Sequence, residues 1–198
     1  MKVFHDNSFP NLVKACILKV ARGYEPTITY STECVNASGF SMNELLVEWN
    51  WLHGTPHNIN GLKKAVDLAI HYRFFKNELL FDVIAQALQQ GVDYVLTRSS
   101  RESKRFCNMI LSVRRELREA KINIKFSRQG NTLFGKYYFS NNIADLLLDF
   151  YEKRFPDKQV VIADAASMNI MSMAKPTIPE STILSAVQVP SVTLNSFL

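Results

Sequence analysis

The run from Arg101 to Lys121 contains neither proline nor glycine, and its apolar residues recur at three- and four-residue steps. At about 100° per residue, Phe106, Met109, Ile110, Val113, Leu117 and Ala120 fall on one stripe, so the spacing predicts a single amphipathic helix. Such a stripe leaves water only by packing on other elements, which makes this helix the organiser of whatever surrounds it. On the same wheel Lys104, Arg115 and Arg118 lie on the far side, with Arg101, Arg105 and Arg114 at its edges. One face is core and the other is cationic.

The cationic character is local. Between Arg98 and Lys136 eleven bases stand against three acids, Glu102, Glu116 and Glu119, a net charge of +8; the whole chain carries +5, so the remainder sums to −3. Two readings of this face stay open: a solvated helix surface, or an anion-binding surface, for which the few balancing acids argue. DNA or RNA phosphate is the anion that a same-sign cluster suits, because several phosphates are neutralised at once. Lys125, just beyond the helix, belongs to the same candidate nucleic-acid-binding set as Arg101, Lys104, Arg105, Arg114, Arg115 and Arg118.

A chain of 198 residues with 47% hydrophobic content has ample material for a packed core. Cys16, Cys34 and Cys107 are widely spaced and odd in number, which fits a reducing compartment better than a disulfide framework or a zinc site. No apolar run is long enough to span a bilayer and the N-terminus lacks a charged-then-apolar signal pattern. The expectation is a soluble cytoplasmic or nucleoid-associated protein, or one of the host cytoplasm if viral, with no membrane partner.

In chain order, Met1 to His5 reads as a short strand, and Ser8 as the cap of a helix running to Gly23. Thr27 to Ser31 is β-rich, and Val35 to Phe40 reads as a loop. Ser41 with Glu44 forms a capping-box pattern before Leu45, Leu46, Trp49 and Trp51. His53 and His57 stand four apart, but Gly54 and Pro56 between them oppose a shared helical face, so the segment reads as a turn and not as a metal site. Helices follow from Asn60 or Gly61 through Ala69 and from Leu79 to Gln90. Beyond Lys121, Ile122, Ile124 and Phe126 alternate like a strand, Arg128–Asn131 is a turn and Leu133–Phe139 a second strand, a hairpin in all. Asn142 opens a helix ending before Pro156, Val160–Ala163 is a buried strand, and the domain closes near Met173.

Within this order the chain resembles a family of uncharacterised bacterial proteins described as DNA metabolism proteins. These occur beside or fused to uracil-DNA-glycosylase-like domains and are linked to a radical-SAM protein of DNA modification or repair. The family's helix carries roughly V-x-R-E-x-H-R followed by a G-F-x-R-F strand; here the run is Val113-Arg-Arg115-Glu116-Leu-Arg118-Glu119, then Ile122-Asn-Ile-Lys125-Phe126. The family's later helix and Asp-ending strand match Asn142 to Pro156 and Val160 to Asp164, and His5-Asp-Asn-Ser-Phe9 resembles its start. The resemblance spans about residues 1–170 and implies DNA as a partner, and a radical-SAM or glycosylase-like protein as another. Arg118 and Phe150 stand where the family has histidines, so acid–base or metal chemistry carried by those histidines is not available to this chain. Arg115 and Glu116 remain as candidate catalytic residues, with a structural ion pair as the other reading of Glu116. No nucleophile elbow, P-loop or dinucleotide fingerprint occurs, so the sequence itself argues for no enzyme activity and no cofactor.

From Ala174 the chain has Pro176, Pro179 and Pro190 among Ser, Thr and Val and scarcely any charge, which reads as a flexible, disordered linker over 174–190. The last eight residues, 191–198, place Leu194, Phe197 and Leu198 at the hydrophobic positions of a sliding-clamp-binding peptide of the PCNA-interacting type, which they resemble; Ser191 stands where glutamine is usual. The other reading is a frayed terminus.

The expectation from sequence is a mostly helical α+β domain over 1–173, with a small sheet built on the central β-hairpin. Its function reads as a DNA-metabolism accessory protein, gripping duplex or single-stranded DNA by the basic helix and tethered to a clamp by its tail. Two alternatives are a subunit or diverged enzyme of DNA or nucleotide modification or repair, and an assembly protein whose tail docks on a neighbouring subunit.

Overall fold

Strand β1 (Lys2–Phe4) is the middle of a three-stranded parallel sheet, with β2 (Glu25–Thr27) on one side and β3 (Cys34–Asn36) on the other. Pro26 has no N–H to give a ladder, which suits β2 to the edge it occupies. The coordinates are a computed structural model and describe residues 1–165 and 170–172. The linker at 174–190 and the peptide with Ser191, Leu194, Phe197 and Leu198 lie outside the described residues. The fold is α+β, as expected, and the chain divides into two compact units, Met1–Val113 and a second beginning at Arg114.

In the first unit helix α1 (Phe9–Arg22) connects β1 to β2 and buries Leu12, Val13, Cys16, Ile17 and Leu18. It stops at Gly23, whose φ of 66° is the left-handed conformation that glycine adopts without cost, and whose N–H bonds Lys19 O at 3.0 Å. Its start is braced from just outside the helix by Asp6: one carboxylate oxygen accepts the Ser8 N–H at 3.0 Å, the Ser8 hydroxyl at 2.6 Å and the Asn11 side-chain amide at 2.9 Å. These donors hold the Asp6 carboxyl at about 2, below its usual range. Ser8 occupies the cap position, but its hydroxyl is turned to Asp6 and makes no cap bond.

Helices α2 (Met42–His53), α3 (Lys63–Ala69) and α4 (Asn77–Gln90) complete the packing, with Trp49, Leu62, Leu80, Ile84 and Leu88 almost fully buried in the same core. The Ser41–Glu44 capping box is not made, since Ser41 offers no side-chain bond to the helix. His53 is the last residue of α2 and Gly54 follows with a φ of 83°, so His53 and His57 share no helical face. A short helix α5 (Val92–Leu96), which no sequence signal announced, fills the gap before α6 (Arg101–Asn123). The predicted strand at Thr27–Ser31 lies earlier, at Glu25–Thr27, and the predicted loop at Val35–Phe40 begins with β3; both corrections follow from pairing with β1, which extends three-residue segments too short to show a period. Buried Cys16 has its thiol pushed up to about 12 by desolvation and donates to Phe81 O at 3.3 Å.

In the second unit α6 ends two residues later than Lys121, and Ile122, expected as the first residue of a strand, is helical and 75% exposed. The hairpin is as predicted in kind: β4 (Phe126–Gln129) and β5 (Thr132–Tyr137) pair antiparallel around a turn at Gly130, which has a φ of 58°. Arg128 Nε donates to Gly130 O at 3.0 Å and ties the turn to its strand. Helix α7 (Ala144–Arg154), opening two residues after the predicted Asn142, carries the chain to β6 (Gln159–Asp164), parallel to β5 from Thr132↔Gln159 to Tyr137↔Asp164. A further strand, β7 (Ile170–Ser172), pairs antiparallel with β6 and gives the order β4-β5-β6-β7. Val160, Val161, Ile162 and Ala163 are all buried, as a strand inside a sheet requires, and α7 packs Leu147, Leu148 and Tyr151 into this unit. Among the described residues no helix is long and apolar enough to cross a membrane.

Two expectations follow from these cores. A Cβ at Gly135 would stand 2.7 Å from Ile124 Cγ2 and 2.9 Å from the Phe126 ring, both in the packed layer beside β5. Gly135→Ala should therefore cost about 1–3 kcal/mol, read as a lower urea midpoint with an unchanged slope; an unchanged midpoint would show that the sheet yields. His5 is fully buried, its ring edge-on to Phe81 at 5.6 Å, and neither ring nitrogen has a hydrogen-bond partner among the described residues. Burial lowers its pKa below 6.5, with Asp6 acting in the opposite sense. The unfolded chain thus takes up this proton first, so stability present above pH 6.5 is lost as pH falls towards the lowered folded value. Denaturant midpoints should fall between about pH 7.5 and about pH 5.5 in the wild type and fall less in His5→Leu; equal declines would assign the acid sensitivity to other groups.

Candidate nucleic-acid interface

Helix α6 starts from a reciprocal cap. Ser100 Oγ accepts the Ser103 N–H at 3.0 Å while Ser103 Oγ accepts the Ser100 N–H at 2.8 Å, a capping box with serine in the place of the usual Glu or Gln. Ser100 Oγ also donates to Gln86 Oε1 at 2.7 Å, which ties this cap to α4. The predicted stripe is buried as expected: Phe106, Met109, Ile110 and Val113 in the first unit and Ala120 in the second, with Leu117 half-buried.

The cations follow from that burial. Arg101, Lys104 and Arg105 in the first unit and Arg114, Arg115, Arg118 and Lys125 in the second are all exposed. Arg115, with a side chain 78% exposed, has Glu119 Oε1 at 4.0 Å from its Nε. A loose, exposed i,i+4 pair contributes a few tenths of a kcal/mol at most and leaves the guanidinium available to a stronger anion. Two other bases of the basic stretch are engaged within the second unit. Lys121 Nζ lies 4.0 Å from the centroid of the Phe150 ring, and Arg128 holds the hairpin turn. Lys121, half-buried, is thereby set apart from the exposed bases of α6.

Arg115 and Glu116 do not share an environment. Glu116 is 6% exposed; one oxygen accepts the Ser140 N–H at 2.7 Å and the other the Asn141 side-chain amide at 2.5 Å. Its carboxylate thus anchors the turn that leads into α7, while Arg115 points to water. Tyr137, in the same unit, has its phenol pushed above its usual pKa by burial, by Glu116 and then by Glu119. It stays neutral at physiological pH.

One set of residues went unnoticed in the sequence. Tyr72, Phe74 and Lys76, ahead of α4, and Arg105, Asn108 and Ser112 on α6 line a cavity of about 370 Å³ within the first unit. The signal was present as the aromatic and basic run Tyr72-Arg-Phe-Phe-Lys76, but nothing local says which side of the chain it faces. A second cavity of about 420 Å³ in that unit is mainly apolar, lined by Pro10, Met42, Leu46, Ile59 and Leu88 beside His57. Among the described residues no group of three His, Cys, Asp or Glu is placed to hold a metal ion.

Glu116→Ala would remove the acceptor of the Ser140 N–H and one acceptor of the Asn141 amide and should cost about 2 kcal/mol. Glu116→Gln keeps a carbonyl oxygen and should cost less, a ranking that urea denaturation checks; equal and negligible losses would mean that water replaces the carboxylate.

No curated protein and no solved structure matches the chain. A family model described as a domain of unknown function, DUF4130, matches residues 75–188, more than half of the chain and the whole of α4 to β7. The chain belongs to this uncharacterised DUF4130 family.

Proposed function

We propose that this chain is a DNA-associated accessory protein that holds phosphate through the cationic face of α6. The observation that carries the reading is that Arg101, Lys104, Arg105, Arg114, Arg115 and Arg118 are all exposed on one helix whose apolar stripe is buried. Polyanion binding draws its free energy from counterions released as phosphates are neutralised, so a row of exposed like charges is what it requires. The resemblance to proteins linked with glycosylase-like and radical-SAM partners favours DNA over other polyanions. The peptide at 191–198 that resembles a clamp-binding motif lies outside the described residues.

Fluorescence anisotropy of a labelled duplex and a matching single strand over a salt series tests it. The logarithm of affinity should fall linearly with the logarithm of salt concentration, by roughly 0.7–0.9 for each phosphate neutralised. Arg115→Gln with Arg118→Gln should weaken binding and reduce that slope by roughly two. Both side chains are exposed, so the fold should survive the change. Absence of binding at low salt, or a slope indifferent to the double substitution, would overturn the reading.

A further inference from the structure

The cavity of about 370 Å³ in the first unit combines features that a solvated surface does not need. Phe74 is 71% exposed at its rim, and the Tyr72 ring meets it edge-on at 6.0 Å and 70°. The Arg73 guanidinium carbon lies 6.0 Å from the Phe74 ring centroid. Lys76 and Arg105, both exposed, supply positive charge from the elements on either side, and the lining residues include no carboxylate. Asn108 and Ser112, one helical turn apart on α6, add polar groups between them.

We infer that this cavity is a stacking site for one base of single-stranded DNA, with Phe74 as the platform and Lys76 and Arg105 on the flanking phosphates. The inference rests on the DNA-binding reading and names the form of DNA that this site takes. An exposed aromatic face beside cations is the arrangement by which proteins hold single strands without reading sequence, since every base offers a π face. In a duplex that face is covered by the neighbouring pairs, and reaching Phe74 would require unstacking. Charge complementarity selects a polyanion over a neutral aromatic ligand, because the two lysine and arginine heads stand at the cavity and no acid among its lining residues balances them.

The test uses the full chain with labelled oligo(dT) and a duplex of equal length, read by anisotropy at fixed low salt. Phe74→Ala should weaken oligo(dT) binding by about tenfold or more and leave duplex binding unchanged, while Phe74→Tyr, which keeps the ring, should retain it. With Phe74 so exposed, circular dichroism should show both variants folded. Equal loss on both nucleic acids, or no loss on either while the wild type binds both, would overturn the stacking site and leave the cationic helix standing. A wild type that binds neither probe would overturn both readings together.

Discussion

The apolar stripe of α6 is the constraint from which the rest follows. Phe106, Met109, Ile110 and Val113 must leave water, and in the first unit Phe106, Met109 and Ile110 join a core with Trp49, Leu62, Leu80, Ile84 and Leu88. At roughly 1.5–3 kcal/mol for each large apolar side chain fully buried, this stripe outweighs any preference of the charged residues between them. Once it is inward, helical geometry leaves the arginines and lysines no direction but outward. The charge display is a consequence of core packing, and no arginine needs a partner to hold it in place.

The same helix shows why charged residues in one short motif differ in role. Arg115 and Glu116 are neighbours in sequence, yet one turns to solvent and the other is buried against the turn before α7. A carboxylate taken out of water is tolerable when its oxygens are met by good donors, and the Ser140 backbone and the Asn141 amide are such donors. The residue expected as a site carboxylate or as an arginine's ion partner thus holds the backbone between β5 and α7. Burial, and after it Glu116 and Glu119, raise the Tyr137 phenol above its usual pKa on this side of the second unit.

Much of the helical framework was legible because it rests on local rules. Gly23 ends α1, and α4, α6 and α7 each show enough turns for the 3.6-residue period to stand out. The misses occur where too few residues carry the signal. Ser8 takes the cap position of α1 but makes no side-chain cap bond, because its hydroxyl donates to Asp6, a contact that Ser-Phe-Pro does not encode. Ile122 mimics the start of a strand, yet α6 continues through it with Ile124 N–H bonded to Ala120 O at 3.0 Å. Strands β3 and β7 are three residues each and exist through pairing with β1 and β6.

The sequence by itself determined that α6 would be one amphipathic helix, that its arginines would lie opposite its core, and that a hairpin and a helix would follow, since these depend on periodicity and on a glycine turn within a few residues. Tertiary structure alone decided that Lys121, unlike the exposed bases of α6, would lie over the Phe150 ring. It also decided that Glu116 would be buried and that Phe74, Lys76 and Arg105 would line one cavity. The physical reason is distance along the chain: Phe74 and Arg105 are brought together by the folding of the residues between them, and no local pattern carries information about a contact of that span.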